Sequence, residues 1–590
     1  MIPIQQQQHD IAGTVILVVK DGKVLFTKGY GFADVNGRTP VTDATLFRIG
    51  SVSKTFTWTA VMQLVEQGKI DLDRDVNTYI DFALPAPFGK PVTMRNLLTH
   101  TAGFEESIKD LFVAAPTDMT PLGVYLKTHV PHQIFPPGTT PAYSNYGATL
   151  AGYVVQRVSG MPFNDYINAH IFQPLGMTAA TFAQPLPTAL APQMSSGYAL
   201  ASGKAKAYEL VQAWPAGSMA VSADAMSHFM IAHLEDGQYA GARILKPATV
   251  REMHSRLFGA NPALNGMAHG FYEETRNGQA IVGHGGDTQW FHSDLHLVPG
   301  MRLGFFISSN SAGKGGDLRG IVWKGFLDRY FPYTPPVAAP PHDRLADARS
   351  VVGRYYSSRR IETVSASVIG LMQTTVSVNA DSTISNDAQK DPAGNPKRYQ
   401  EIAPLVFREV HGQSLLAFAK DFNGDLAMGA DYPFEVDQRV PARKAAPLNF
   451  LALGVAVGAF LLTLLCWPLA GMLRRHYRAF TILPQGYSRL RLIMRVTCFT
   501  ALLFLALRAK LLASISSDIS AVSSSNDGYV HVLQVIGFAA MLGLPVAIAY
   551  CALSWRTGAL WVWSKVWNTI LAVGFVAFAL FVLNWHLLST

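Results

Sequence analysis

Phe47-Arg48-Ile49-Gly50-Ser51-Val52-Ser53-Lys54-Thr55 sets a serine three residues ahead of a lysine at the start of an apolar run. On a helix that spacing stacks both side chains on one face. A hydroxyl is a poor nucleophile at neutral pH, and a neighbouring amine able to take its proton is one of the few ways to activate it. Ser51 is therefore the candidate nucleophile and Lys54 its candidate base. Val52, Phe56, Ala60, Val61, Leu64 and Val65 recur at helical spacing and Gly68 stops the run, so the serine opens a buried helix. Gly50 suits a tight turn into that helix from a short strand over Thr45 to Ile49, and first-turn amides can face a developing oxyanion. The same spacing recurs at Ser311 and Lys314, but there it lies in the loop-like Asn310-Ser311-Ala312-Gly313-Lys314-Gly315-Gly316 with no apolar helix behind it.

The surrounding chain bounds what this element can belong to. A length of 590 residues is too great for one core, so two or more domains are expected. With 49% hydrophobic and 15% charged residues the chain is too apolar for a wholly soluble enzyme, and the excess lies after Pro447. The formal charge of +8 has no dense Lys/Arg run behind it in the first 440 residues, which argues against a nucleic-acid partner. Arg474, Arg475, Arg478, Arg489, Arg491 and Arg495 lie between apolar segments and read as topology signals. All three cysteines, Cys466, Cys498 and Cys551, fall within those segments, which excludes a cysteine nucleophile, a cysteine-zinc site and disulfides from residues 1 to 440. His284 and His292 lack the neighbours of a metal cluster, and neither a metal nor a cofactor is expected.

Four apolar stretches, 448–473, 492–513, 529–553 and 566–588, meet the length of a membrane-spanning helix. The second carries Arg495, Arg508 and Lys510 near its ends, where long basic side chains reach the headgroups. Basic loops at Arg474 to Arg495 and at Arg556 with Lys565 are expected on the cytoplasmic side. Residues 1 to 440 then lie outside the cytoplasm, in the periplasm where an outer membrane exists. Met1 to Asp10 shows neither a basic nor an apolar signal region, so no signal peptide is visible there; since export of residues 1 to 440 normally needs one, a processed form or a misplaced start is expected.

Phe47 to Thr55, together with Gln67-Gly68-Lys69-Ile70-Asp71-Leu72-Asp73, Leu97-Leu98-Thr99-His100-Thr101-Ala102-Gly103, Pro137-Gly138 and Pro174-Leu175-Gly176-Met177, resembles the serine β-lactamase and penicillin-binding-protein superfamily in its class C-like branch. The resemblance spans roughly residues 10 to 335. It implies an α/β (α+β) catalytic domain, an antiparallel sheet flanked by helices with a helical subdomain. Thr14 to Lys20, Asp21-Gly22 and Lys23 to Tyr30 read as a hairpin, two β-rich runs around a type I′ turn signal, and resemble the strands that open this fold. Tyr143-Ser144-Asn145 is the second element: the phenol relays a proton near Lys54 and Ser51, and the Asn145 amide binds a substrate carbonyl. His100 is expected to be structural. At Ile281-Val282-Gly283-His284-Gly285-Gly286-Asp287, Gly285 and Gly286 let substrate lie against the strand, and the Asp287 amide joins that of Ser51 in an oxyanion hole. His284 stands where many relatives carry Lys, and it is charged only part of the time near neutrality.

The expected organisation is a serine hydrolase domain over 1–335, a proline-rich linker and small β-barrel over 336–445, and a membrane domain over 446–590. Val351 to Tyr356, Val364 to Ile369, Thr374 to Val378, Leu405 to Val410, Ser414 to Ala419 and Leu426 to Gly429 are the barrel's β-like runs. The expected activity is an acyl-enzyme hydrolase of peptides or amides bearing a D-amino acid, or of small esters. The alternatives are a weak class C-like β-lactamase and a non-catalytic penicillin-binding sensor that signals through its membrane helices.

Overall fold

In the computed structural model the described residues are 1–335, 344–391, 393–478, 485–558 and 560–589. The chain divides into two compact units, Met1–Arg359 with Thr374–Arg439, and Arg360–Gln373 with Val440–Thr590.

In the first unit, β1 (Gly13–Lys20) and β2 (Lys23–Asp34) form the expected hairpin. Asp21 and Gly22 at its tip both have positive φ, 50° and 74°, the signature of a type I′ turn. Strand β1 is buried on both faces, which explains its unbroken apolar run. Val15, Leu17 and Val19 enter the main core, while Ile16 and Val18 enter a second core with Phe305, Ile307 and Leu327.

Helix α1 (Ser53–Glu66) is buried from Ser53 to Leu64 and packs on α2 (Asn145–Ser159). Its buried threonines are satisfied locally, Thr59 donating to the Thr55 carbonyl and Thr57 to that of Pro215, so polar residues survive inside the core. Phe56 stacks on Phe229 of α3 (Ala223–Leu234) with ring centroids 3.8 Å apart. The strand expected before Ser51 spans Leu46–Arg48 and belongs to a separate three-stranded sheet with Ala220–Ser222 and Ala180–Thr181. Strands β3 (Val282–Asp287), β4 (His292–Val298) and β5 (Leu303–Ser309) continue the seven-stranded antiparallel sheet, β5 pairing with β1, and α4 (Leu318–Tyr330) covers the second core.

Beyond the seven-stranded sheet, eight strands close into an antiparallel barrel, Gly353–Ser357 pairing with both Thr374–Val378 and Asp437–Arg439. Tyr355, Val376, Ile384, Tyr399, Phe407 and Phe418 fill its core. One expected strand is corrected: Val364 to Ile369 lies in a 3₁₀ helix, Ser365–Leu371, that belongs to the second unit. Its apolar residues serve packing there, Val368 and Leu371 lying against the helical core. Three barrel strands that sequence reasoning missed, Ile384–Lys390, Pro396–Ala403 and Asp437–Arg439, are mostly polar and expose one face, so no apolar run marks them.

Among the described residues the second unit has four helical segments long and apolar enough to cross a membrane: Ala446–His476, Gly486–Ile515, Ser524–Arg556 and Val562–Asn584. They contain α5 (Ala446–His476), α6 (Gln485–Ser517), α7 (Asp527–Met541), α8 (Gly543–Arg556) and α9 (Val562–Asn584). The stretch expected as one span over 529–553 is thus interrupted at Leu542. Pro545 has no N–H to give the Met541 carbonyl, and Gly543 lies so near Phe575 that an added Cβ would be 2.1 Å from its ring. Small residues Ala456, Ala459, Ala540 and Ala547 bring the helices together around Phe460, Phe504 and Phe575. Arg508, an apparent charge inside the second span, donates to the Leu587 carbonyl at 2.6 Å and the Ser365 hydroxyl at 3.2 Å.

Candidate active site

Ser51 lies in a single 3₁₀ turn, Gly50–Val52, that runs into α1, and Gly50 takes φ 50°, a left-handed conformation that suits glycine. Ser53 fastens the turn, its hydroxyl donating to the Gly50 carbonyl at 2.5 Å and accepting from Met219 N–H at 3.1 Å. One helical step on, Lys54 Nζ is 3.0 Å from Ser51 Oγ, 2.8 Å from Asn145 Oδ1 and 2.8 Å from the Ala216 carbonyl. None of the three oxygen partners is a carboxylate. Burial drives the Lys54 pKa well below its usual value, the Arg359 charge adds to the effect, and Glu106 opposes it. A neutral amine fits this cage: two hydrogens go to Asn145 and Ala216, and its lone pair faces the Ser51 hydroxyl.

Tyr143 is buried, with Lys54 Nζ 4.8 Å from its ring centroid and its hydroxyl in hydrogen-bonding reach of Ser51. Burial raises its pKa, more than its bond to Ser51 lowers it, so the phenol carries its proton at neutral pH. His100 holds this segment in place, as a structural histidine was expected to. Its Nδ1 accepts from Ser144 N–H at 3.1 Å, its carbonyl from Ala142 N–H at 2.8 Å, and its ring packs 4.3 Å from Tyr143. Ser144 caps α2, accepting from Gly147 N–H at 3.0 Å, which sets Asn145 at the helix start facing Lys54. With Asn145 Oδ1 occupied, its Nδ2 is the group able to meet a substrate carbonyl.

Strand β3 approaches the Ser51 turn so closely that a Cβ on Gly286 would be 2.0 Å from the Ile49 carbonyl oxygen and 3.0 Å from Ser51 N. A Cβ on Gly50 would be 2.6 Å from Asp287 N. Gly286 therefore admits the backbone of the turn, a different task from the substrate contact expected of it. The edge open to substrate is also shorter than expected. Gly285 N–H donates to the Tyr272 hydroxyl at 2.5 Å, and the Gly285 carbonyl is 2.6 Å from His284 Nδ1. Backbone groups two residues apart on a strand face the same edge, so the Asp287 amide faces that edge too, beside Ser51 N. The Asp287 carboxylate turns away to His292 Nδ1 at 2.6 Å and Arg319 at 3.0 Å.

His284 differs from its expected part-time charge. Burial first, then the Lys54 charge, push its pKa down to about 3, so it is neutral across the physiological range. Its bond to the Gly285 carbonyl assigns the ring proton to Nδ1. Ser311, the rival serine, accepts from Ala12 N–H at 2.9 Å, and Lys314 pairs with Asp10 at 3.1 Å, so the two hold the chain's beginning and do not face each other.

Sequence reasoning missed what the barrel adds. Ser358 donates to the Pro141 carbonyl at 2.5 Å and Glu435 bridges to Ala142, docking the barrel on the segment that leads to Tyr143. Arg359 then lies 4.7 Å from the Tyr143 ring centroid and pairs with Glu106, while Phe434 meets the same ring edge-on at 5.6 Å. No local signal marks Arg359, which is hundreds of residues from Ser51 in sequence. Its charge yields a pH prediction. Arg359→Gln raises the Lys54 pKa and moves the acid limb of kcat/KM to higher pH, because the neutral base is lost as pH falls through that pKa. Glu106→Gln moves the limb the other way. Profiles shifted in the same direction by both changes would contradict this assignment.

A sequence profile of the family described as Beta-lactamase matches residues 3–323. The chain belongs to the beta-lactamase family. PbpX of Bacillus subtilis (strain 168), provisionally named a penicillin-binding protein, is 31% identical over 227 residues, 38% of this chain and 55% of that one. Protein flp of Staphylococcus aureus (strain N315) is 27% identical over 321 residues, 52% of this chain and 60% of that one. The chain thus spans 55–60% of the length of these two relatives. Among solved structures, SurE with D-Leu is 21% identical and superposes with TM-score 0.52 over 74% of this chain and 97% of that one, a likeness of fold. Beta-lactamase-family proteins are generally serine hydrolases, and the Ser51, Lys54 and Tyr143 cluster lies within the matched residues.

Proposed function

We propose that this beta-lactamase-family protein is a membrane-anchored serine hydrolase that works through an acyl-enzyme on Ser51. The observation that carries the reading is the cage of Lys54, a buried amine within 3.0 Å of three uncharged oxygens; in its neutral form its lone pair is available for the serine proton. Lys54 takes that proton as Ser51 Oγ bonds to the substrate carbonyl carbon. The oxyanion meets the amides of Ser51 and Asp287. Tyr143, protonated and beside Ser51, gives its proton to the leaving group and takes the one held by Lys54; water, giving a proton to Lys54, then attacks the acyl carbon, and the Ser51 oxygen takes that proton back as the acid leaves. Asn145 Nδ2 orients a substrate carbonyl. The substrates are small peptides or amides bearing a D-amino acid, or small esters.

The four apolar helices cross the cytoplasmic membrane, with the loops carrying Arg474 to Arg495 and Arg556 with Lys565 inside and the catalytic unit outside. The bilayer is the chain's lasting partner and nucleic acid is not one. A panel of D-amino-acid peptides, esters and β-lactams, followed by intact mass and product formation, tests the activity. Turnover of at least one peptide or ester supports it, and a stoichiometric adduct that never releases would make the protein a sensor.

His284 tunes substrate choice in this scheme, since it borders the substrate edge while Lys54 and Tyr143 move protons. His284→Lys puts at the substrate edge an amine that a bound carboxylate holds protonated, so carboxylate-bearing substrates gain on neutral esters by about 1–2 kcal/mol in kcat/KM at fixed ionic strength. A loss of about a thousandfold for both would put His284 in the proton-transfer machinery.

A further inference from the structure

The basic end of the helical unit carries an open cavity of about 490 Å³. Three arginines line it, Arg474 from α5 and Arg491 with Arg495 from one face of α6, a helical turn apart. All three are half-buried, whereas Arg475, Arg478 and Arg489 of the same basic cluster are exposed. Among the described residues the lining includes no carboxylate, and none of the three arginines forms an ion pair with a described residue. Like charges held this close repel one another unless an anion sits among them.

The walls suit the level of lipid headgroups. The Arg495 guanidinium lies 4.4 Å from the Trp467 ring centroid, which fixes its fork. Tyr487 stacks on Tyr550 at 4.8 Å and accepts from Asn568 Nδ2 at 2.8 Å, and Trp567 Nε1 donates to Thr463 at 3.0 Å. Tryptophan and tyrosine with one polar tip are the residues that settle at a membrane–water boundary. Guanidinium forks match phosphate oxygens two at a time, and the cytoplasmic leaflet carries the anionic lipids.

We propose that Arg474, Arg491 and Arg495 hold a phosphate group in this cavity, the headgroup phosphate of an anionic lipid or a free phosphate ester. The assignment rests on the reading that these helices cross a membrane. Native mass spectrometry of the full chain in neutral detergent, titrated with phosphatidylglycerol, phosphatidylcholine and inorganic phosphate, tests it. The expected result is retention of phosphatidylglycerol over phosphatidylcholine. Arg491→Gln with Arg495→Gln weakens that retention about tenfold or more, and Arg475→Gln with Arg489→Gln leaves it unchanged. Inorganic phosphate bound with the same arginine dependence, without lipid preference, identifies the free anion as the source. If the double variant does not fold, Arg474→Gln carries the same expectation from the other helix. Equal losses from both arginine pairs, or equal retention of the two lipids without phosphate binding, overturn the site. Release of the wild-type chain from membranes by alkaline carbonate overturns the membrane reading instead.

Discussion

Lys54→Met abolishes acylation of Ser51, lowering kcat/KM by about a thousandfold or more, the range expected when a positioned base is removed. The methionine fills the volume without a lone pair to take the serine proton. Lys54→Arg fails as well, because a guanidinium keeps its proton and offers no base at any working pH. The wild-type profile supplies the complementary evidence. The Lys54 pKa is lowered well below the usual lysine value. The base is therefore neutral above that lowered pKa, and activity is lost as pH falls through it. Activity that rises only toward pH 10 would mean that the buried ammonium keeps its proton. No second limb from His284 is expected between pH 5 and 8, since that ring titrates near 3.

Gly286→Ala is the second large effect, and it needs no change in any reacting group. Its Cβ would meet the Ile49 carbonyl oxygen at 2.0 Å and Val52 N at 2.8 Å, both backbone atoms of the nucleophile turn. The strand and the turn must part, which separates the two amides that share the oxyanion. A displacement on the order of 1 Å at a reacting centre costs about a hundredfold, so kcat/KM falls by about that factor or more. The neighbouring Gly285→Ala is the control. Its Cβ meets Asp294 Oδ1 at 3.0 Å and the Tyr272 hydroxyl at 3.2 Å, side-chain atoms that can shift. Similar losses for the two alanines would show that strand flexibility, and not the contact with the turn, is what matters.

Helical periodicity around Ser51 and Lys54 made the nucleophile turn legible, because a serine opening a buried helix leaves both a spacing and an apolar stripe in the sequence. The hairpin at Asp21-Gly22 was legible for a similar reason, since its turn demands two positive φ values. What escaped was non-local. Arg359 and Phe434 reach Tyr143 only because the barrel docks on Pro141 and Ala142, and sequence spacing carries no trace of that contact. The neutrality of His284 also escaped, since burial and the nearby Lys54 set it, and neither can be read from residue type. Gly286 was legible as a glycine that matters, but its reason, the approach of the Ile49 carbonyl, appears only in three dimensions.

The central claim is that Ser51 carries the acyl group. An active-site serine probe applied to the intact protein, followed by digestion and peptide mapping, measures this directly. The account predicts one adduct per chain on the peptide bearing Ser51, lost in Lys54→Met. An adduct on Ser53 or Ser311 with Ser51 unmodified would contradict it.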